Sequence, residues 1–154
     1  MHESLSEARI EEVLQHQLLG HLGCHTDNIT YVVPICYAYE NNYIYGRTYD
    51  GMKLEMIRKN PTVCFQVEYI ENILKWESVV CWGAFEELTD VTRRNNAIKI
   101  LKDRILVSME GNMLQHSAYW PFSIHDSDNR NEIIFSIHLS KKTGRLSPYH
   151  NPQE

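Results

Sequence analysis

The sequence predicts a mainly β fold with flanking helices, in which six antiparallel strands form a small closed barrel. Strand-like runs rich in Val, Ile, Tyr and Phe recur along the chain. Asp27-Asn28 and Asn41-Asn42 separate consecutive runs by two residues that tolerate the left-handed conformation of tight hairpins, so the joined strands run antiparallel. A single short helical pattern falls between the third and fourth strands, an arrangement that suits a barrel.

Taken in order, Ser6 is placed to cap a first helix in which Ile10, Val13, Leu14, Gln17 and Leu18 share one face, with Gly20 as its expected end. Three strands follow, broken at Asp27-Asn28 and Asn41-Asn42. With Asn41-Asn42 as the turn, Tyr37 faces Gly46, Cys36 faces Arg47 and Ile35 faces Thr48. Pro34 lacks an N–H, so the ladder is expected to open between Pro34 and Tyr37. A helix is predicted over Asp50 to Lys59, with Asp50 as N-cap and Asn60-Pro61 as its stop. Thr62 to Tyr69 reads as a strand with Val63, Phe65 and Val67 on one face, and Ile70 to Lys75 as a longer connection. Ser78 to Leu88 is the next strand, with Gly83 marking a bulge or a close approach. Asp90 to Leu106 repeats Val91, Ala97, Ile98, Leu101 and Ile105 at helical intervals. Val107 to Asn131 reads as irregular, Glu132 to Leu139 as a final strand, and the remainder as a polar tail.

Composition narrows the function. The 154 residues, 43% hydrophobic and 23% charged, suit one domain over 1–154 with a buried core. No apolar run approaches the roughly 20 residues of a membrane span, and the acidic N-terminus does not resemble a secretory signal. The net charge is −5, and Arg93-Arg94 and Lys141-Lys142 are too short to make a basic stripe. The expectation is a cytoplasmic protein with no nucleic-acid or membrane partner. Cys24, Cys36, Cys64 and Cys81 form no C-x-x-C pair and read as reduced thiols of the core. His21, Cys24 and His25 offer no second half of a ligand set, so no metal is expected.

The corner between the third strand and the second helix draws together Arg47, Thr48, Gly51, Met52 and Lys53. A helix start exposes backbone N–H groups and a partial positive charge, which suits a phosphate. Gly51 allows close approach, Lys53 brings a charge, Arg47 a fork of donors and Thr48 a hydroxyl. The same residues also make an ordinary polar turn, and on their own they leave both readings open. They are no Walker loop, because Met52 stands where that motif requires lysine.

Residues 31–88 resemble the flavin-mononucleotide-binding split-barrel superfamily that includes pyridoxamine 5'-phosphate oxidase, and within it the branch of Nim-type nitroimidazole-resistance proteins. The resemblance rests on Pro34 to Tyr37 in a strand, Gly51-Met52-Lys53 opening a helix, Arg58 to Phe65, and Trp76 to Gly83, with Thr143-Gly144-Arg145 in support. It implies a six-stranded split β-barrel that binds FMN. Arg47, Thr48, Gly51, Met52 and Lys53 would hold the phosphate. Pro34, Ile35, Cys36 and Tyr37 would lie along the isoalloxazine ring, with main-chain groups on its pyrimidine edge. Family members are usually homodimers with FMN at the interface, so Trp76 and Ser78 would come from the partner or close beside it, and Gln66 is a further candidate. Many relatives of this branch carry a histidine just before the glycine-lysine corner, where this chain has Tyr45-Gly46-Arg47-Thr48.

The implied activity is that of an oxidoreductase passing electrons from NAD(P)H through FMN to a small acceptor such as a nitro compound or quinone, with no catalytic side chain nominated. The alternative is a flavin-binding or sensing protein with little turnover. True pyridoxamine 5'-phosphate oxidase is disfavoured, because the tail from Gly144 lacks that enzyme's arginine-rich segment.

Overall fold

The computed structural model describes residues 3–108 and 132–149. In chain order its elements are β1 (Glu3–Ser4), α1 (Glu7–His16), β2 (Leu19–Thr26), β3 (Ile29–Glu40), β4 (Tyr43–Tyr49), α2 (Met52–Lys59), β5 (Thr62–Asn72), β6 (Lys75–Glu87), α3 (Val91–Ser108) and β7 (Glu132–Leu146). Every strand pairing is antiparallel, in the order β1-β7-β4-β3-β2-β5-β6, and β6 pairs back onto β7. All strands but the two-residue β1 therefore close into the expected ring of six. Asp27, Asn28, Asn41 and Asn42 all take positive φ, from 49° to 65°, as two-residue hairpins require.

Alternation sorts the side chains. Leu22 and Cys24 of β2, Ile35, Tyr37 and Tyr39 of β3, Val63, Phe65 and Val67 of β5, Val79 and Cys81 of β6, and Phe135 and Ile137 of β7 fill the interior. Leu14 of α1 packs into this core, where its carbonyl accepts a 2.7 Å hydrogen bond from the Tyr37 hydroxyl. Leu54, Met56 and Ile57 of α2 join the same core. By contrast, α3 packs outside, over β3, β4 and β7, where Ala97 meets Leu88 and Ile134.

Four boundaries differ from expectation. The first helix ends at His16, not Gly20: Gln17 turns extended and its N–H closes on Val13 at 3.2 Å. Gly20 instead lies inside β2, where an added Cβ would meet the Phe65 ring at 2.2 Å. The second helix is capped by Gly51 rather than Asp50, whose carboxylate pairs with Arg58 at 3.3 Å. The expected connection from Ile70 to Lys75 is mostly strand, reduced to a turn at Ile73-Leu74 in which Asn72 Oδ1 accepts from the Leu74 N–H at 2.8 Å.

The largest difference is in the tail: Ser140 to Arg145 continue β7 to Leu146, paired with β6. The register shifts between Trp82 and Gly83, and Ser140 donates to the Trp82 carbonyl at 3.2 Å. At that point Gly83 is also a close approach, since a Cβ there would lie 2.2 Å from the His138 carbonyl oxygen. The irregular stretch expected over 107–131 begins with the end of α3, and the rest, including Trp120-Pro121, lies outside the described residues.

Candidate functional site

Pro34 marks the feature that organises the site. The β3–β4 ladder runs from Glu40↔Tyr43 only to Tyr37↔Gly46. Beyond it, residues 29–36 of β3 pair with β2 alone, from Ile29↔Thr26 to Cys36↔Leu19. The ladder thus opens at the expected place, but only on the β4 side; on the β2 side it continues through Pro34↔His21. One edge of β3 is left without a neighbouring strand among the described residues, presenting main-chain groups that need partners.

The side chains of this segment divide. Ile35 and Tyr37 are buried in the core, so they serve the edge only through their backbones. The Tyr37 N–H is already given to the Leu18 carbonyl at 3.0 Å. Pro34 and Cys36 alternate with them and lie on the outer face, where burial raises the Cys36 thiol above its ordinary pKa and keeps it protonated at neutral pH.

β4 leaves β3 and leads into the corner. Thr48 is buried, and its hydroxyl is one of the few buried polar atoms with no hydrogen-bond partner among the described residues. Such an atom costs about 1–3 kcal/mol unless a bound group satisfies it. Gly51 follows, extended at φ 169° and giving α2 no side-chain cap. The first N–H groups of an uncapped helix are unsatisfied, and a Cβ built on Gly51 would find nothing within 4 Å. Met52 is 51% exposed and leaves that approach open. Lys53 is half-buried and has no carboxylate partner among the described residues, so desolvation holds its ammonium below the ordinary lysine pKa. A buried hydroxyl, open N–H groups and an uncompensated cation within six residues fit an anionic group such as a flavin phosphate.

Arg47 does not join this corner. It alternates with Thr48 to the outer face beneath α3, its side chain 2% exposed. There it pairs with Glu132 at 3.3 Å and lies 5.3 Å over the Tyr49 ring. In this arrangement its guanidinium is engaged by Glu132, which Arg94 of α3 also approaches at 3.8 Å.

The other expected residues lie on other strands of the ring. Gln66 of β5 and Trp76 and Ser78 of β6 share the outer face, and Gln66 Nε2 donates to Ser78 Oγ at 3.1 Å. This face of β2, β5 and β6 exposes Leu19, Ile70 and Trp82. Lys141 lies 5.2 Å over the Trp82 ring, and Arg145 stands opposite Ser78. Sequence reasoning missed His21, whose Nδ1 is 3.2 Å from Gln66 Oε1. The signal was its place opposite Pro34, visible only once the β2–β3 register is known. No group of three or more potential metal ligands occurs among the described residues, and no described helix is long and apolar enough to cross a membrane.

Known proteins share this architecture. Residues 6–126 match the family model described as pyridoxamine 5'-phosphate oxidase. An uncharacterised protein of Rhizobium meliloti is 28% identical over 133 residues, covering 84% of each chain. The crystal structure of an FAD-binding protein from Mesorhizobium loti superposes with a TM-score of 0.75 at 28% identity, over 95% of this chain and 96% of that one. A candidate 5-nitroimidazole antibiotic resistance protein from Bacteroides thetaiotaomicron shares the fold at a TM-score of 0.73 and 22% identity, over 95% and 87% of the two chains.

Proposed function

The chain belongs to the pyridoxamine 5'-phosphate oxidase family, and we propose that it is a flavoprotein that binds FMN and reduces a small acceptor, such as a nitro compound or a quinone, with NAD(P)H. The observation that carries this reading is the buried, unpartnered Thr48 hydroxyl beside the uncapped start of α2. The open edge of β3 at Pro34 to Tyr37 and the FAD-binding relative from Mesorhizobium loti support it.

Thr48, the N–H groups after Gly51, and Lys53 would hold the phosphate, and the main chain of Pro34 to Tyr37 would orient the ring. A second copy would cover the exposed outer face and bring Gln66, Trp76 and Ser78 to the site, making a homodimer. The flavin, when bound, supplies the hydride chemistry. The chain supplies position and charge: Lys53 neutralises the phosphate, and burial of Ile35 and Tyr37 fixes the backbone that meets the ring.

A second reading, a flavin-binding protein with little turnover, draws on Gly46, which puts no acid or base beside the corner. Adding NADH or NADPH anaerobically to the FMN-loaded protein separates the two. Bleaching of the flavin absorbance, reversed by a quinone or nitro compound, is expected of the reductase. Stable absorbance with both nucleotides contradicts it and leaves the binding protein. Parallel titrations with FMN and FAD decide between the two flavins, with FMN expected to bind more tightly.

A further inference from the structure

One cross-strand row on the outside of the barrel carries a stack of rings that stops short. Glu40, Tyr43, His138, Ala84 and Thr62 stand opposite one another in turn across β3, β4, β7, β6 and β5. Cross-strand partners share a face, and each of the five is flanked along its strand by a buried residue, so all point outward. The Tyr43 and His138 rings lie 4.6 Å apart at 9°. Nearly parallel rings at that separation meet face to face, so the stack runs across the strands. Tyr45, 6.0 Å from Tyr43 at 18°, widens the wall and is anchored against Leu88, Ala97 and Ile134.

Neighbouring strands lie about 4.8 Å apart, close to the spacing of this ring pair, so the next seat in the stack falls on Ala84. Ala84 is exposed and brings no ring of its own. The face of His138 turned away from Tyr43 therefore looks over a gap, with Ala84 as its floor and the exposed Thr62 on its far side. A ring seated there stands with its plane along the strands, so a substituent in that plane points either toward Glu86 or toward Trp82. Glu86 is a carboxylate, already held by the two Nη atoms of Arg93 at 2.6 and 2.9 Å. At the other end, Lys141 Nζ lies 5.2 Å over the Trp82 ring and pairs with no carboxylate among the described residues. The Lys141 end is the one that favours an anion.

We propose that this gap is a binding site for a planar aromatic carboxylate, whose ring stacks on His138 above Ala84 and whose carboxylate meets Lys141. The stack selects a flat ring, because a buckled one loses the face contact. Lys141 selects the charge. The site goes beyond the flavin reading and does not rest on it: Tyr43 and Thr48 lie toward opposite ends of β4. Trp82 borders the face given above to a second copy, and the seat of the ring lies beyond it, toward Glu86.

The test titrates the full-length chain with benzoate, with and without FMN, and follows the ring protons of His138 by NMR. Benzoate should move them upfield through its ring current, equally in both samples. Cyclohexanecarboxylate, which keeps the charge but not the flat face, should leave them in place. Ala84→Leu fills the seat and should abolish the benzoate shift. Lys141→Gln should weaken benzoate roughly two- to fivefold, the worth of an exposed ion pair, and leave neutral benzamide unchanged. Unmoved His138 protons, an equal shift with cyclohexanecarboxylate, displacement of benzoate by FMN, or unchanged benzoate affinity in Lys141→Gln each overturn the proposal. Failure of FMN to bind overturns the flavin reading alone. The comparison of the two carboxylates on wild-type protein decides the matter if a variant does not fold.

Discussion

Gly46 sits against the core in a way that accounts for its lack of a side chain. It pairs with Phe135 across the β4–β7 ladder, and a Cβ would meet that ring at 2.4 Å. Phe135 cannot withdraw easily, because it stacks on Phe85 at 4.6 Å. Histidine at this position therefore requires a different barrel interior. Gly46→His should lower stability by more than the about 1–3 kcal/mol of ordinary overpacking, measured by urea denaturation; a neutral result would show that position 46 faces outward. Lys53 makes the opposite prediction. Because desolvation disfavours its charge, Lys53→Ala should leave the ligand-free protein as stable as before or more so. The same change should weaken FMN roughly 10- to 100-fold, the worth of a charged hydrogen bond, while leaving riboflavin, which has no phosphate, unaffected. Residue types at this corner were readable in the sequence because Gly51 and Lys53 are local to one helix start. The fate of Arg47 was not, because Glu132 lies 85 positions away in the chain and becomes its neighbour only through the β4–β7 register.

Among the elements, α1 is held to the barrel by two ion pairs rather than by its apolar face alone. Arg9 grips Glu77 with Nε at 2.7 Å and Nη2 at 2.5 Å, and the Glu77 side chain is fully buried. Arg9→Ala removes both of these bonds to a buried carboxylate and should cost about 3 kcal/mol, the lower end for a broken buried pair because Arg9 is itself partly exposed. A thermal melt checks this, and Glu77→Gln in the same background should recover part of the loss. Two residues along, Glu11 pairs with Lys142, which also donates to Asn42. Burial opposes ionisation of Glu11, but the hydrogen bonds from Lys142 and Tyr39 outweigh it and lower its pKa. Lys142 is raised, since its bonds to Glu11 and Tyr39 likewise outweigh burial. A lowered carboxylate stabilises above its unfolded value and loses that contribution as pH falls through the folded one; a raised amine loses its contribution as pH rises. The pair should thus stabilise fully between the ordinary values of 4.5 and 10.5. Glu11→Gln should shrink the fall in melting temperature below pH 4.5 relative to wild type. The same lysine explains why the end of β7 was hidden in the sequence. Ser140 to Arg145 has the composition of a turn, and only the pairing with β6 and the contacts of Lys142 under α1 make it a strand.

For the molecule as a whole, the closed ring was legible because its hairpins are announced locally by Asp27-Asn28 and Asn41-Asn42. The closure of β6 on β7 was inferred only from strand number, since nothing near Trp82 in sequence names Lys141 as its partner. The placement of α3 over β3, β4 and β7, with Leu19 and Val32 left exposed elsewhere on the outer face, is likewise a tertiary fact. Leu19 is 51% exposed and Val32 60%, the pattern of a surface that another chain covers. If two copies meet there, Val32→Glu should shift the protein from dimer to monomer in light scattering after gel filtration, with the fold retained by circular dichroism. A dimer that survives Val32→Glu together with Leu19→Glu would place the interface elsewhere. The expectations for FMN depend on whether the corner and the open β3 edge receive a flavin. Purified protein incubated with FMN and passed through a desalting column should emerge yellow, with the flavin absorbance bands at about one FMN per chain. Colourless protein, with the FMN recovered entirely in the late fraction, would contradict the account.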